Sequence, residues 1–157
     1  MRIFIDTEFT DFNLMHLISI GMVSETGIEF YAETAFPLDA CNDFVKEIVL
    51  PQLGRKPDRI FDCERLGGEL MQWLESICPA GDYVEICFDF YADGDLFVAA
   101  LEQPLPSWCH LRNVWSQIDD RAVALYFRQT GKSDHHALHD ACANRFAYRD
   151  VVVKEAP

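Results

Sequence analysis

Residues 2–6, Arg-Ile-Phe-Ile-Asp, are apolar on both faces of an extended chain. A strand of that kind is buried at the centre of a sheet that is covered on both sides. The rest of the chain must supply the neighbouring strands and the covering helices. His16–Ser24 is strand-like, Glu25-Thr26-Gly27 makes a three-residue turn with glycine at the left-handed position, and Ile28–Thr34 returns as a third strand. The first three strands are therefore expected to form an antiparallel meander.

Helical periodicity follows. Asn42 or Asp43 caps a short helix with Phe44, Val45, Ile48 and Val49 inward, stopped before Pro51. From Asp62, the residues Cys63, Leu66, Leu70, Trp73, Leu74 and Ile77 recur at helical spacing as far as Pro79-Ala80-Gly81. Tyr83–Phe88 reads as a fourth strand, and a helix beginning near Asp93 turns Leu96, Phe97, Ala100 and Leu101 inward. Trp108–Val114 is a fifth strand, and Asp119 or Asp120 caps a helix through Phe127. A last helix follows Gly131-Lys132-Ser133-Asp134 with Leu138, Ala141, Cys142 and Phe146 inward. The expected fold class is α/β: a mixed five-stranded sheet, antiparallel in its first three strands and flanked by helices. Residues 1–150 form one domain, and 151–157 a C-terminal tail.

Composition narrows the function. The formal charge of −13 on 157 residues argues against a general duplex-DNA binder, which needs a basic footprint. The most basic stretch, 54–59 (Gly-Arg-Lys-Pro-Asp-Arg), reads as a polar link. The first residues carry acids where an export signal needs an apolar core, and no apolar run approaches the roughly 18–20 residues of a membrane helix. The six cysteines never form a CxxC pair and read as reduced core thiols, which makes a zinc site improbable and a cytoplasmic location the expectation.

Three acidic spots fall where strands end and helices begin: Asp6 and Glu8 after the first strand, Asp93 mid-chain, and Asp140 in His135-His136-Ala137-Leu138-His139-Asp140. Open α/β sheets gather their chemistry at such places. Asp6 and Glu8 are two apart, so both carboxylates project to one side of a strand. Taken singly, each spot has a structural reading, as a strand-ending acid, a helix cap or a solvated first turn. Together they make a set of hard oxygen ligands suited to Mg²⁺ or Mn²⁺, whose binding relieves their mutual repulsion. A histidine beside them titrates in the range a general base needs.

These motifs resemble the DEDDh 3′–5′ exonucleases of the ribonuclease H-like fold. The likeness rests on Asp6-Thr7-Glu8, on Asp93-x-x-Leu96-Phe97 and on His135-x4-Asp140, in the family's order. Asp89 and Asp95 compete for the second motif, and Asp93 is preferred because Leu96 and Phe97 then occupy the apolar positions three and four residues on. Leu17-Ile18-Ser19-Ile20-Gly21 and Ala137-Leu138-x-Asp140-Ala141 look most similar to a small bacterial and phage branch of exoribonucleases that includes the RNase AS type. The resemblance implies two metal ions on Asp6, Glu8, Asp93 and Asp140, with His135 as general base and Glu8 as a catalytic carboxylate as well as a ligand. It implies release of nucleoside monophosphates from the 3′ ends of single-stranded RNA, or of DNA, by a homodimer. Where many relatives carry a small residue and glycine after the first Glu, this chain has Phe9-Thr10-Asp11. Thr7, Phe9, Thr10 and Phe12 are accordingly the candidate substrate contacts. Two rivals stand beside this reading. Asp6-Thr7-Glu8-Phe9-Thr10 mimics the nucleophile loop of a haloacid-dehalogenase-like phosphatase, and the fold could persist as an inactive nucleic-acid-binding domain.

Overall fold

A computed structural model describes residues 1–78 and 81–150, so the expected tail at 151–157, and Pro79 and Ala80 of the expected helix stop, lie outside the described residues. Strand β1 (Arg2–Phe9) pairs antiparallel with β2 (Leu17–Ser24), and β2 antiparallel with β3 (Glu29–Thr34). Beyond β1 lie β5 (Val84–Phe88) and β6 (Cys109–Asn113), each parallel to its neighbour. The two-residue β4 (Ile60–Phe61) runs parallel to the end of β3. The sheet thus has six strands in the order β4-β3-β2-β1-β5-β6, one more than the sequence suggests. Two residues are too short a run to carry an alternating pattern, so β4, between the polar link at 54–59 and the first long helix, leaves no signal in the sequence.

The expectation for β1 holds: Ile3, Phe4 and Ile5 are all buried, and their alternation splits the core in two. On one face, Ile3 and Ile5 pack with Ile20, Met22 and Ile86 beneath Leu66, Leu70 and Leu74 of α1 (Cys63–Ile77) and Phe97 of α2 (Tyr91–Ala100). On the other, Phe4, Val23, Tyr31 and Cys87 meet Ala137, Leu138, Ala141 and Cys142 of α4 (Ala137–Ala147), outside which lies α3 (Asp120–Thr130). The caps are chosen as their side chains allow. Asp62 accepts from the Arg65 amide, and Asp119 from the amides of Arg121 and Ala122.

Some apolar positions depart from expectation. Asn42 does cap the segment after β3, accepting from the Val45 amide, but the turn Val45–Val49 is π-helical and buries only its two valines. The wider winding puts Phe44 and Ile48 on the solvent side. Phe146, expected inward on α4, is exposed and leans on Tyr126 of α3 instead. Helix α2 begins at Tyr91, two residues before Asp93. No helix among the described residues is long and apolar enough to cross a membrane.

Candidate active site

Backbone register brings the acids together. Asp6 and Glu8 project from β1 toward the α4 side of the sheet, opposite Gly21 and Ser19 of β2, with a bulge between Glu8 and Phe9. Gly21 is what lets α4 approach: a side chain there would run into the backbone of Ala137 and Leu138. The first turn of α4 therefore lies directly on β2 and carries Asp140 to β1. Asp140 Oδ2 accepts the His136 amide at 2.8 Å, which fixes the carboxylate as it caps the helix. Asp93 arrives from the opposite layer. Its Oδ1 accepts both the amide (3.0 Å) and the hydroxyl (2.7 Å) of Thr7. Its Oδ2 is buried and has no partner among the described residues. Asp95, the competing acid, is exposed on α2 and joins no such cluster.

A further acid, passed over in favour of Asp93, is also brought in. Asp89 follows β5, the parallel neighbour of β1, and its Oδ1 accepts from Asn144 Nδ2 at 2.9 Å. Asn144 lies one turn beyond Asp140 on α4, so the helix holds two acids on one face. Asp89 carries the same sequence signal as Asp6, an acid ending a strand. The carboxylates form two triads, Asp6-Asp89-Asp93 and Asp6-Glu8-Asp140, with ligand atoms in each within 4.8 Å of one another. Asp6 belongs to both.

Such crowding shows in the acidities. Burial first, and then Asp93, Asp140, Glu8 and Asp89 in turn, push Asp6 well above the usual carboxylate range. Glu8 is pushed up to about 8 by burial and then by Asp140 and Asp93. Burial lifts Asp93 to about 7 against the restraint of the Thr7 hydroxyl, and Asp140 to about 7 against the His136 amide. Burial likewise raises Asp89. A buried, partnerless carboxylate oxygen and two all-oxygen triads sharing one acid are a donor set that fits two hard divalent ions.

His135 stands just outside α4 in a left-handed backbone conformation, φ 56°. The Nε2 of its half-exposed ring is 3.8 Å from Asp134 Oδ2, and the ring meets Phe44 edge-on. Gln52 fastens this loop: its side-chain nitrogen lies 2.9 Å from the carbonyls of both Asp134 and His135. His136 points elsewhere, stacked between Tyr31 and His139, and burial lowers its pKa to about 4. Thr7 is committed to Asp93, and Thr10, fully buried, donates to the Leu14 carbonyl and accepts from the His16 amide. Both hydroxyls hydrogen-bond within the protein, in the support of the site. Phe9 and Phe12 stand edge-to-face at 5.2 Å, and Phe12 in turn meets Phe90 at 6.1 Å.

No protein-family profile matches the chain. The 3′-5′ exoribonucleases of two Mycobacterium tuberculosis strains are 47% identical to it over 55 residues, a match spanning 34% of this chain and 33% of each relative. Thus the chain matches about a third of the length of those curated relatives. The fold is shared with the nuclease domain of 3′hExo, a DEDDh family member whose structure has rAMP bound, at a TM-score of 0.61 and 11% identity, covering 92% of this chain and 87% of that one. Sheet topology and coverage show that the chain has the fold of that DEDDh nuclease domain, and over 55 residues it is similar to the two 3′-5′ exoribonucleases.

Proposed function

We propose that this protein is a divalent-metal-dependent 3′–5′ exoribonuclease that removes nucleoside monophosphates one at a time from single-stranded 3′ ends. The observation that carries the reading is Asp6, shared by two carboxylate triads. Asp6, Glu8, Asp93 and Asp140, with Asp89 beside them, would hold two Mg²⁺ or Mn²⁺ ions. Ions bound there offset the carboxylate repulsion and stabilise charge on the attacking and leaving oxygens of the phosphodiester. His135 takes up the proton of the attacking water as the water oxygen bonds to phosphorus and the 3′ oxygen departs. The products are a nucleoside 5′-monophosphate and a strand one unit shorter. Its half-exposed ring, on the residue just ahead of the helix that carries Asp140, supports that role, and Glu8 serves as both ligand and catalytic carboxylate. Phe9 and Phe12, with Phe90, offer rings on which unpaired bases stack; such platforms tolerate any sequence.

Preference for RNA over DNA follows the relatives named exoribonucleases. A homodimer follows the family likeness, and light scattering measures it directly. A cytoplasmic location accords with six cysteines that never form a CxxC pair, four of them buried in the core. The decisive experiment incubates 5′-labelled RNA and DNA oligonucleotides with Mn²⁺, with Mg²⁺ and with EDTA. A ladder shortening from the 3′ end, absent with EDTA and with Asp6→Asn, supports the reading, and the RNA-to-DNA rate ratio names the substrate. No shortening of either strand would refute it.

A further inference from the structure

Beyond the acid cluster, on the same face of the sheet, the register Glu8–Ser19–Glu33 runs across β1, β2 and β3. Strands lie about 4.8 Å apart, so Glu33 sits about 10 Å from Glu8. There a cleft of about 140 Å³ opens between β3 and the start of α4, walled by Tyr31, Gln52 and His136 and edged by Arg55 and Lys56. The turn that leads into the two cations is fixed by a buried acid. Glu33, 6% exposed, accepts the Gly54 amide at 3.0 Å through each carboxylate oxygen and the Tyr31 hydroxyl at 3.0 Å. Both its oxygens are thereby committed to fixing the turn, in which Gly54 takes φ 73°. Lys56 Nζ lies 5.9 Å over the Tyr31 ring. Neither Arg55 nor Lys56 forms an ion pair among the described residues, although the chain carries twice as many acids (26) as Lys and Arg together (13). In so acidic a protein, two adjacent cations left without acidic partners beside the site are the chemistry a polyanion requires.

We propose that this cleft is a phosphate subsite, in which Arg55 and Lys56 hold a phosphodiester of the single strand upstream of its scissile 3′ end. The inference rests on the exonuclease reading for its substrate, and it deepens that reading by saying how a chain of net charge −13 retains a polyanion. Single-strand binding weakens with salt by about 0.7 in log–log slope for each phosphate neutralised. The test compares the intact protein with Arg55→Ala/Lys56→Ala and with Arg121→Ala/Arg128→Ala, a pair on α3 that makes the same change in net charge far along the chain. With a 5′-labelled RNA 12-mer and Mn²⁺, the first variant should raise KM about tenfold, chiefly without change in kcat. It should also flatten the salt dependence of kcat/KM by about 0.7 to 1.4. The α3 pair should do neither, and thermal denaturation should show all three proteins equally folded. Equal effects from the two pairs, or none from Arg55 and Lys56, would overturn the subsite while leaving the exonuclease intact. If the unmodified protein does not shorten the strand, fluorescence anisotropy of the same 12-mer decides. Binding lost only in the Arg55/Lys56 variant still assigns the subsite, and absence of binding to the unmodified protein removes it.

Discussion

Thr7 and Asp93 show how closely the site depends on single atoms. One carboxylate oxygen of Asp93 is fixed by the Thr7 hydroxyl and amide, which leaves the other free and buried. Thr7→Val keeps the shape and the amide bond but deletes the hydroxyl. By analogy with residues that orient metal ligands, it should lower Mn²⁺ affinity and activity by about 10- to 100-fold, with Thr7→Ser restoring both. Calorimetric Mn²⁺ titration of the three proteins checks this without reference to turnover. His135→Ala should slow turnover by about 10²- to 10⁴-fold while leaving Mn²⁺ affinity near normal. If His136→Ala were the variant that abolished turnover, the proton acceptor would have been assigned to the wrong ring. The acids were legible in the sequence because the chemistry demands their residue types. The duty of Thr7 was not, since a threonine next to an acid carries no mark of a partner 86 residues away.

At the level of elements, α4 reaches β1 only because β2 has no side chain at Gly21. Gly21→Ala must push the first turn of α4 outward and take Asp140 with it. Overpacking of this kind costs about 1–3 kcal/mol, and urea denaturation should show that loss together with weaker Mn²⁺ binding. A change confined to stability, with metal affinity intact, would mean that Asp140 does not depend on this contact. The meander β1–β2–β3 was readable because alternation and a glycine turn are local signals. The phase of the 42–52 segment was not. Its helical pattern is real, but a π-turn rotates Phe44 and Ile48 out of the core, and winding is settled by packing rather than by local sequence. Asp89 was set below Asp93 for a related reason. Its value comes from β5 lying parallel to β1, a pairing that no local signal records.

For the whole molecule, clustered acids make stability depend on pH in an unusual direction. Glu8, Asp93 and Asp140 have folded-state values near 7 to 8, above the 3.8 to 4.5 they have when unfolded. The folded chain therefore holds protons that the unfolded chain has released. Metal-free stability should be fully present below about pH 4, decline as the pH rises through that window, and level off above about pH 8. Mn²⁺ competes with those protons and binds the folded form, so it should raise Tm more at pH 8 than at pH 5. Scanning calorimetry with and without EDTA at the two pH values tests both statements. A metal-free protein more stable at pH 8 than at pH 5 would contradict the buried-acid picture.

The tie between Gln52 and the carbonyls of Asp134 and His135 has a consequence for how the protein fails. The loop bearing His135 takes a left-handed conformation that a residue with a side chain adopts only at a cost, and its anchor comes from a segment 83 residues earlier. That segment runs through π- and 3₁₀-helical turns, Val45–Val49 and Leu50–Gln52, with a small core cluster of its own, and is expected to open before the sheet on warming. Catalytic competence should consequently melt in advance of the sheet, with residual activity vanishing at temperatures where far-ultraviolet circular dichroism still reports an intact fold.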